Sequence, residues 1–151
     1  MDKYFEIIAQ TRANFIQLLD GLTIEQVNKI PGGFNNNIIW NFAHTISAQQ
    51  VLCYRLAGIT PVVDENFIEL FKKGTKPGTY IDQQKLNHIK KLSELTIEKL
   101  KLDVADNIFS NYTDYTTSYN VCLTNIEDAI KFVSVHEGLH YGYAMALRRL
   151  V

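Results

Sequence analysis

The stretch that decides the fold is the C-terminal segment Thr124–Val151, TNIEDAIKFVSVHEGLHYGYAMALRRLV. Its core-type residues recur at steps of three and four, the spacing that places side chains on one face of an α-helix. These residues are Ile126, Ala129, Ile130, Val133, His136, His140, Ala144 and Leu147. The sequence at 124–127 fits a capping box at the start of the helix. We therefore predict a long amphipathic helix that carries two histidines on its buried face.

His136 and His140 stand four residues apart on this predicted buried face. Residues at that spacing have Cβ atoms about 5–6 Å apart, so both imidazoles can reach one metal ion at about 2.0–2.1 Å. The alternative is that each is an ordinary hydrogen-bonded core histidine, since such a pair also arises by chance. The pair alone leaves both interpretations open.

Three more long helices are predicted N-terminal to this one. Apolar residues at helical spacing run from about Asp2 to Leu19, from Ile38 to about Ala57, and from an Asp82 cap to about Lys101. In the first of these helices Thr11 fills the one gap in the apolar stripe. Because a proline inside a helix costs about 3 kcal/mol, prolines indicate boundaries, and all three fall between the predicted helices: Pro31, Pro61 and Pro77.

The predicted connections are long at two places. A capping box at Thr23–Gln26 predicts a short helical turn after the first helix. The segment 58–81 is a long connection with a helical turn at 67–72, and the polar and aromatic segment 103–123 is predicted to be a wrapping loop. Four helices with two long connections indicate an all-α fold. We predict one domain, residues 1–151, folded as a four-helix bundle with at least one crossover.

A third histidine, His44, lies in the second long helix, about 12 Å from its start at 1.5 Å per residue. His140 lies about 16 Å from the end of the last helix by the same rise. If these two helices are antiparallel, the three imidazoles lie at a similar depth. Burying three imidazoles without a partner would be costly, which favours a metal site. The fourth histidine, His88, is predicted to lie on a solvated or packing face.

The composition argues against several classes of protein. The chain has 151 residues, 46% apolar and 21% charged, which is typical of a globular domain. Fifteen basic and sixteen acidic residues give a net charge of −1, without the basic surplus of a nucleic-acid-binding protein. No apolar run approaches the ~18 residues of a membrane span, no signal peptide is recognised, and two cysteines are too few for a disulfide framework. We expect a cytoplasmic protein that binds neither nucleic acid nor a membrane.

The segment His136–His140 also matches the H-E-x-x-H pattern of zinc metalloproteases, in which the glutamate is the general base. The extension of that pattern is missing, because Tyr143 and Ala146 stand where a glycine and a third histidine would be. We therefore do not predict a peptidase. Glu137 is a candidate catalytic base or a residue that orients a ligand, and the simpler interpretation is a carboxylate on the rim of the site.

Three segments together resemble the DinB/YfiT-like superfamily. They are Leu22–Pro31 (LTIEQVNKIP), Asn36–His44 (NNIIWNFAH) and His136–Gly142 (HEGLHYG), and they follow one another along nearly the whole chain. The resemblance implies a four-helix bundle of up-down-down-up topology. It also implies a divalent metal ion held by three histidines, which are here His44, His136 and His140.

The resemblance further implies a range of activities. Characterised members include transferases that use bacillithiol or mycothiol, a maleylpyruvate isomerase and a domain of sulfoxide-forming enzymes. Three neutral imidazoles leave metal positions open, so a bound water or thiol can be made nucleophilic. We therefore expect a metal-dependent thiol S-transferase or small-molecule hydrolase, with a low-molecular-weight thiol as a candidate cofactor. The alternative is a non-catalytic metal-binding stress-response bundle. Imidazole suits Zn, Ni, Cu or Fe, and zinc or nickel is expected.

Asn41 and Tyr143 are candidate substrate-pocket residues for a small molecule, because each lies three positions from a predicted metal ligand on the same helix face. Asn37 is predicted to cap its helix and Trp40 to pack.

Two glycines in the last helix, Gly138 and Gly142, each cost about 1 kcal/mol of helix stability relative to alanine. They predict the close approach of another helix, within the bundle or across a homodimer.

Overall fold

Six α-helices and one small hairpin form the computed structural model, which describes residues 1–151. The four long helices close into a ring, in which the first two in chain order each pack against the last two. This confirms the predicted all-α four-helix bundle, while the up-down-down-up order of helix directions stays a prediction. The helices are α1 (Asp2–Asp20), α2 (Ile24–Asn28), α3 (Ile38–Cys53), α4 (Glu65–Phe71), α5 (Gln83–Ala105) and α6 (Ile126–Leu147).

Three of the helix starts are those that the sequence predicts. Thr23 and Gln26 form the reciprocal capping box that opens α2. Asn37 caps α3, and its side chain accepts a hydrogen bond from the backbone N–H of Trp40. Asp82 caps α5 in the same way. These side chains satisfy backbone donors that have no partner inside their own helix, and so they fix where each helix begins.

The capping box predicted at 124–127 is wrong by one residue. Asn125 is the cap of α6, and its side-chain oxygen accepts from the backbone N–H of Asp128 at 2.9 Å. The Asp128 carboxylate accepts in turn from the hydroxyl and the backbone N–H of Thr124. Asparagine is a better N-cap than threonine, so the helix begins one residue later than the pattern indicates.

Apolar side chains form two clusters, and every long helix contributes to both. On each of these helices, buried polar residues separate the stretch that enters one cluster from the stretch that enters the other. We call the following five residues the polar layer: Arg12 of α1, Gln49 of α3, Ser93 and Thr96 of α5, and Glu137 of α6. The gap in the apolar stripe of α1 is thus filled by Arg12, and the prediction of Thr11 is wrong, because Thr11 is only half-buried.

Both long connections contain more regular structure than the sequence predicts. The helix α4 begins two residues before the predicted turn at 67–72, and residues 55–57 form a short 3₁₀ turn instead of the end of α3. The predicted wrapping loop includes a hairpin in which β1 (Tyr115–Thr116) pairs antiparallel with β2 (Cys122–Leu123). A hydrogen bond connects this segment to α3, in which the hydroxyl of Tyr112 donates to the Leu52 carbonyl at 2.9 Å. None of the helices combines the length and the apolar character that a membrane span requires.

The two glycines of α6 lie on an exposed face. No atom of another element lies within 4 Å of the position that a Cβ would occupy at Gly138 or Gly142. The predicted close approach of another helix within the bundle is therefore wrong. The homodimer stays a prediction, and the exposed face also carries three large apolar side chains: Val135, Leu139 and Met145.

Gly142→Ala is expected to raise the free energy of unfolding by about 1 kcal/mol, because alanine favours a helix and the space is open. Urea unfolding measures the difference. Gly58→Ala is the control and is expected to destabilise, since Gly58 has a φ of 71°, where a Cβ is strained. A Gly142→Ala protein less stable than wild type would show that another chain covers this helix face.

A homodimer that uses the glycine face makes a separate prediction. Gly142→Leu is expected to lower the mass measured in solution to that of one chain, because the longer side chain would separate two closely packed helices. Metal content is expected to stay unchanged, because Gly142 lies on the exposed face of α6 and the clustered histidines are not altered. Light scattering and metal analysis on the same sample test both points. An unchanged mass would show that this face is not an interface.

Candidate metal centre

Three histidines from two helices meet at one point of the structure. The first residues of α3 share an apolar cluster with the last residues of α6, so the two helices run antiparallel. The ring centroids of His44 lie 5.1 Å from His136 and 4.7 Å from His140, and those of His136 and His140 lie 4.5 Å apart. One nitrogen of each ring lies within 4.8 Å of one nitrogen of each of the others. The three rings that were predicted to converge therefore do so.

Hydrogen bonds from Nδ1 orient two of the rings. His44 Nδ1–H donates to the carbonyl oxygen of Phe71, the last residue of α4, at 2.6 Å. His140 Nδ1–H donates to Oδ1 of Asn41 at 2.8 Å. Both acceptors are oxygens that offer only lone pairs, so Nδ1 carries the hydrogen in each ring. Nε2 of each ring keeps its lone pair, which makes it the nitrogen available to a metal ion.

Asn41 is itself held in place by two further hydrogen bonds. Its Nδ2 donates to the carbonyl oxygen of Asn37 at 2.8 Å and to Oδ1 of Asn36 at 3.0 Å. Because both donors of the amide are used in this way, Oδ1 is the atom that faces His140. Asn41 is buried, with 1% of its surface exposed, so it positions a histidine and does not line a pocket.

Asn41→Ala is expected to lower the metal affinity about 10–100-fold, the usual cost of removing a residue that orients a metal ligand. Competition with a chromophoric chelator measures the affinity. Asn41→Asp is the matched variant, because it keeps an acceptor for His140 Nδ1–H and should restore most of the binding. Equal affinities for wild type and Asn41→Ala would show that this hydrogen bond does not support the site.

Trp40 packs against the cluster, in agreement with its predicted role. Its ring stacks on the ring of His44, with centroids 4.7 Å apart and planes inclined by 7°. Its Nε1–H donates to the hydroxyl of Thr75 at 3.3 Å. The indole therefore covers one face of the His44 imidazole and limits how far that ring can rotate.

Burial keeps the three imidazoles neutral at pH 7. Burial, and then the neighbouring histidines, lower the pKa of His136 to about 3. Burial, and then His44, lower the pKa of His140 to about 4. Burial also lowers the pKa of His44, against the raising effect of its hydrogen bond to Phe71. Neutral imidazole is the form that binds metal ions, so no proton has to leave first.

The donor set fits a divalent metal ion. Nδ1 of His136 is buried and has no hydrogen-bond partner. A buried polar atom in that state costs about 1–3 kcal/mol, which argues for a partner from outside the chain. Imidazole nitrogens suit Zn, Ni, Cu or Fe, whereas Mg and Ca prefer oxygen ligands. No carboxylate or thiol of the chain joins the cluster, so a bound ion would keep open positions.

A cavity of about 500 Å³ opens beside the three rings. Its volume lies within the range of small-molecule sites. The three histidines line it together with Trp40, and the hairpin segment contributes Tyr115 and Tyr119. Its apolar wall comes from α3, from the 3₁₀ turn that follows α3, and from α6: Val51, Leu52, Leu56, Phe132 and Leu139.

The two residues predicted to line the substrate pocket do not line this cavity. Asn41 lies behind His140, because its amide is used to orient that ring. Tyr143 lies on the outside of α6 and packs edge-on against Phe34, with ring centroids 5.9 Å apart. Spacing by three residues places a side chain near a given face, but it does not decide which neighbour that side chain contacts.

Glu137 is fully buried in the polar layer, so its interpretation as a rim carboxylate is wrong. Arg12 Nη2 donates to Glu137 Oε1 at 2.7 Å, and Arg12 Nε donates to both carboxylate oxygens at 3.1 and 3.2 Å. Burial raises the pKa of the Glu137 carboxyl, and Arg12 opposes this rise. The catalytic-base role stays a prediction, and an ion pair that uses both oxygens does not support it.

The sequence reasoning missed two features of the site. The carbonyl oxygen of Phe71 belongs to the backbone and has no signal in the residue type. The adjacent lysines Lys72 and Lys73, which line the cavity, follow directly after the apolar end of α4. The residue types give no signal that would place this pair beside the histidines. His88 is exposed, in agreement with its predicted solvated face.

The protein is thus a four-helix bundle with a candidate metal site. Three histidines form this site beside an open cavity. The family model of the DinB superfamily matches residues 7–144, and the chain belongs to the DinB superfamily. A crystal structure titled as a conserved protein from Enterococcus faecalis has the same fold, with a TM-score of 0.73 and 15% sequence identity. The match covers 99% of this chain and 95% of that one. No curated protein matches the sequence.

Proposed function

We propose that this protein is a metal-dependent enzyme that transfers a small thiol to an electrophile or hydrolyses a small molecule. The observation that carries the proposal is the set of three neutral imidazoles on the wall of a cavity that no fourth protein ligand closes. A divalent ion held by His44, His136 and His140 supplies Lewis acidity, which lowers the pKa of a thiol or water placed beside it. Membership of the DinB superfamily supports the metal-binding part of this proposal.

The residues of the chain have separate tasks in such a reaction. The Phe71 carbonyl and Asn41 hold the rings of His44 and His140, so that their Nε2 lone pairs keep one direction. The apolar wall binds the carbon body of the substrates and excludes water from around the reacting sulfur. In the transfer, sulfur forms a bond to the electrophilic carbon, and the leaving group departs with its bonding electron pair. The thiol proton passes to bulk water at the cavity mouth.

A thiol-transfer assay tests the proposal. Zinc- and nickel-loaded proteins are mixed with a panel of low-molecular-weight thiols and monochlorobimane, which becomes fluorescent when sulfur replaces its chloride. We expect turnover with at least one thiol, and loss of turnover in His140→Ala. Hydrolysis of an aryl ester without thiol tests the second reaction. His88→Ala is the control, because that histidine is exposed and lies outside the cluster.

Two outcomes would contradict the proposal. Equal turnover by wild type and His140→Ala would show that the reaction does not use the cluster. Full metal binding without turnover of any thiol or ester would favour the alternative, a non-catalytic metal-binding bundle.

A further inference from the structure

The charged residues that line the cavity are all basic. Among the twenty residues that line it, three are cationic and none is acidic: Arg55, Lys72 and Lys73. The chain as a whole has a net charge of −1, so this local surplus does not follow from the composition. These basic side chains therefore give the cavity lining a positive potential.

The three cations differ in how far they are already neutralised. Arg55 forms an exposed ion pair with Glu65 at 2.7 Å, and Lys72 forms one with Glu69 at 2.5 Å. Neither glutamate lines the cavity, and exposed pairs of this kind are weak enough to exchange partners. Lys73 has no ion-pair partner. The lysines lie directly after α4, whose last residue holds His44 through its carbonyl oxygen.

The remaining lining is largely apolar and aromatic, with Phe132 and Leu139 on the α6 side and Tyr115 from the hairpin. We call Lys72 and Lys73 the basic rim of the cavity. A molecule that fits all of this lining has an apolar body, an anionic group at the basic rim, and a volume below about 500 Å³. A neutral or cationic molecule of the same shape would leave Lys73 without an ion-pair partner.

We propose that the site selects small anionic substrates, in which a carboxylate or a similar anion binds Lys72 and Lys73 while the apolar body lies along the cavity wall. This inference rests on the proposed function for the identity of the site, but anion binding at the rim does not itself require the metal ion. The rim and the histidines can therefore be tested separately.

The test compares two ligands of nearly equal shape, para-(mercaptomethyl)benzoate and para-(mercaptomethyl)benzamide. Binding to metal-free and to zinc-loaded protein is measured by calorimetry, and by the fluorescence of Trp40, which lines the cavity and is the single tryptophan. We expect the benzoate to bind about 3–10-fold more tightly than the benzamide in both forms at low salt. The preference should shrink as salt is added, since exposed charges are screened beyond about 10 Å at 0.1 M.

Charge variants assign the preference to the rim. The double variant Lys72→Gln, Lys73→Gln is expected to bind the two ligands equally, with unchanged metal content. The matched control is Lys91→Gln, Lys101→Gln, which removes two exposed lysines of α5 that do not line the cavity. The control should keep the preference. If both double variants lost the preference for the benzoate equally, the assignment of that preference to Lys72 and Lys73 would be overturned.

The remaining outcomes separate the two proposals. If the benzamide binds as tightly as the benzoate, or if neither binds, selection of anions is overturned whether or not the protein turns over a thiol. If the benzoate preference is present in metal-free protein but no thiol is turned over, the proposed enzymatic function fails and the anion site stands.

Discussion

Arg12→Met is expected to lower the free energy of unfolding by about 3–5 kcal/mol, because it leaves the Glu137 carboxylate buried without its partner. In wild type Arg12 also donates from Nη1 to the Ser93 carbonyl at 2.6 Å and to the Thr96 hydroxyl at 2.8 Å, so these acceptors lose donors as well. For a chain of this length, the loss corresponds to a fall in Tm of about 6–20 °C. Urea unfolding and thermal melting of the metal-free proteins measure the effect.

The loss caused by Arg12→Met should depend on pH. Without Arg12, burial alone acts on the Glu137 carboxyl and raises its pKa above that of the unfolded chain. The folded state then binds more protons than the unfolded state, so the contribution of this group to stability falls as pH rises from the unfolded pKa through the folded one. The variant is therefore expected to be closer to wild type at pH 5 than at pH 8.

A double variant separates the ion pair from simple loss of packing. Arg12→Met combined with Glu137→Leu removes both charges, and buried pairs replaced in this way are often neutral or stabilising. We expect the double variant to recover most of the stability that the single variant loses. A double variant as unstable as the single one would show that the cost comes from packing, and that the unpaired charge is a minor cause.

His44→Ala is expected to lower metal affinity by more than about 100-fold, beyond the range for residues that only orient a ligand. His44 is the only histidine of the cluster that α3 contributes, so its loss leaves two imidazoles of one helix. Purified without a histidine tag, wild type should contain about one divalent ion per chain, and His44→Ala a small fraction of that. Elemental analysis of both proteins measures the difference and identifies the metal.

The controls for His44→Ala distinguish loss of a ligand from loss of the fold. His88→Ala removes an exposed histidine and should keep the metal content of wild type. Thermal melting of metal-free His44→Ala should show a cooperative transition, since the apolar clusters do not include His44. A folded His44→Ala protein with full metal content would show that His44 is not a ligand.

The sequence predicts the bundle and the His136–His140 pair because both depend on local periodicity, and it predicts the place of His44 only on the assumption that its helix is antiparallel to the last one. Helical spacing places His136 and His140 on one face, and the rise per residue places His44 at the same depth in an antiparallel neighbour. Caps such as Asn37 are equally local, since the side chain acts on the backbone three residues ahead. These are the parts of the fold that the structure confirms.

The parts that could not be predicted depend on contacts between distant segments. Arg12 and Glu137 are 125 positions apart, and the pattern of either helix alone gives no reason to bury a charge. The two glycines of α6 predict the approach of another helix, but no atom of another element lies within 4 Å of the position that a Cβ would occupy at either of them. Spacing shows which side chains share a face, and only tertiary packing decides what that face meets.

The hydrogen bond from His44 to the Phe71 carbonyl bears on how this protein tolerates change. A backbone oxygen is the same for every amino acid, so substitutions at position 71 that keep the end of α4 intact should leave the acceptor in place. An insertion or deletion between α3 and α4 would instead shift that oxygen relative to the imidazole, whatever residues it added or removed. At this point the chain depends on the length of a segment more than on its composition, and comparisons of residue types would not reveal that dependence.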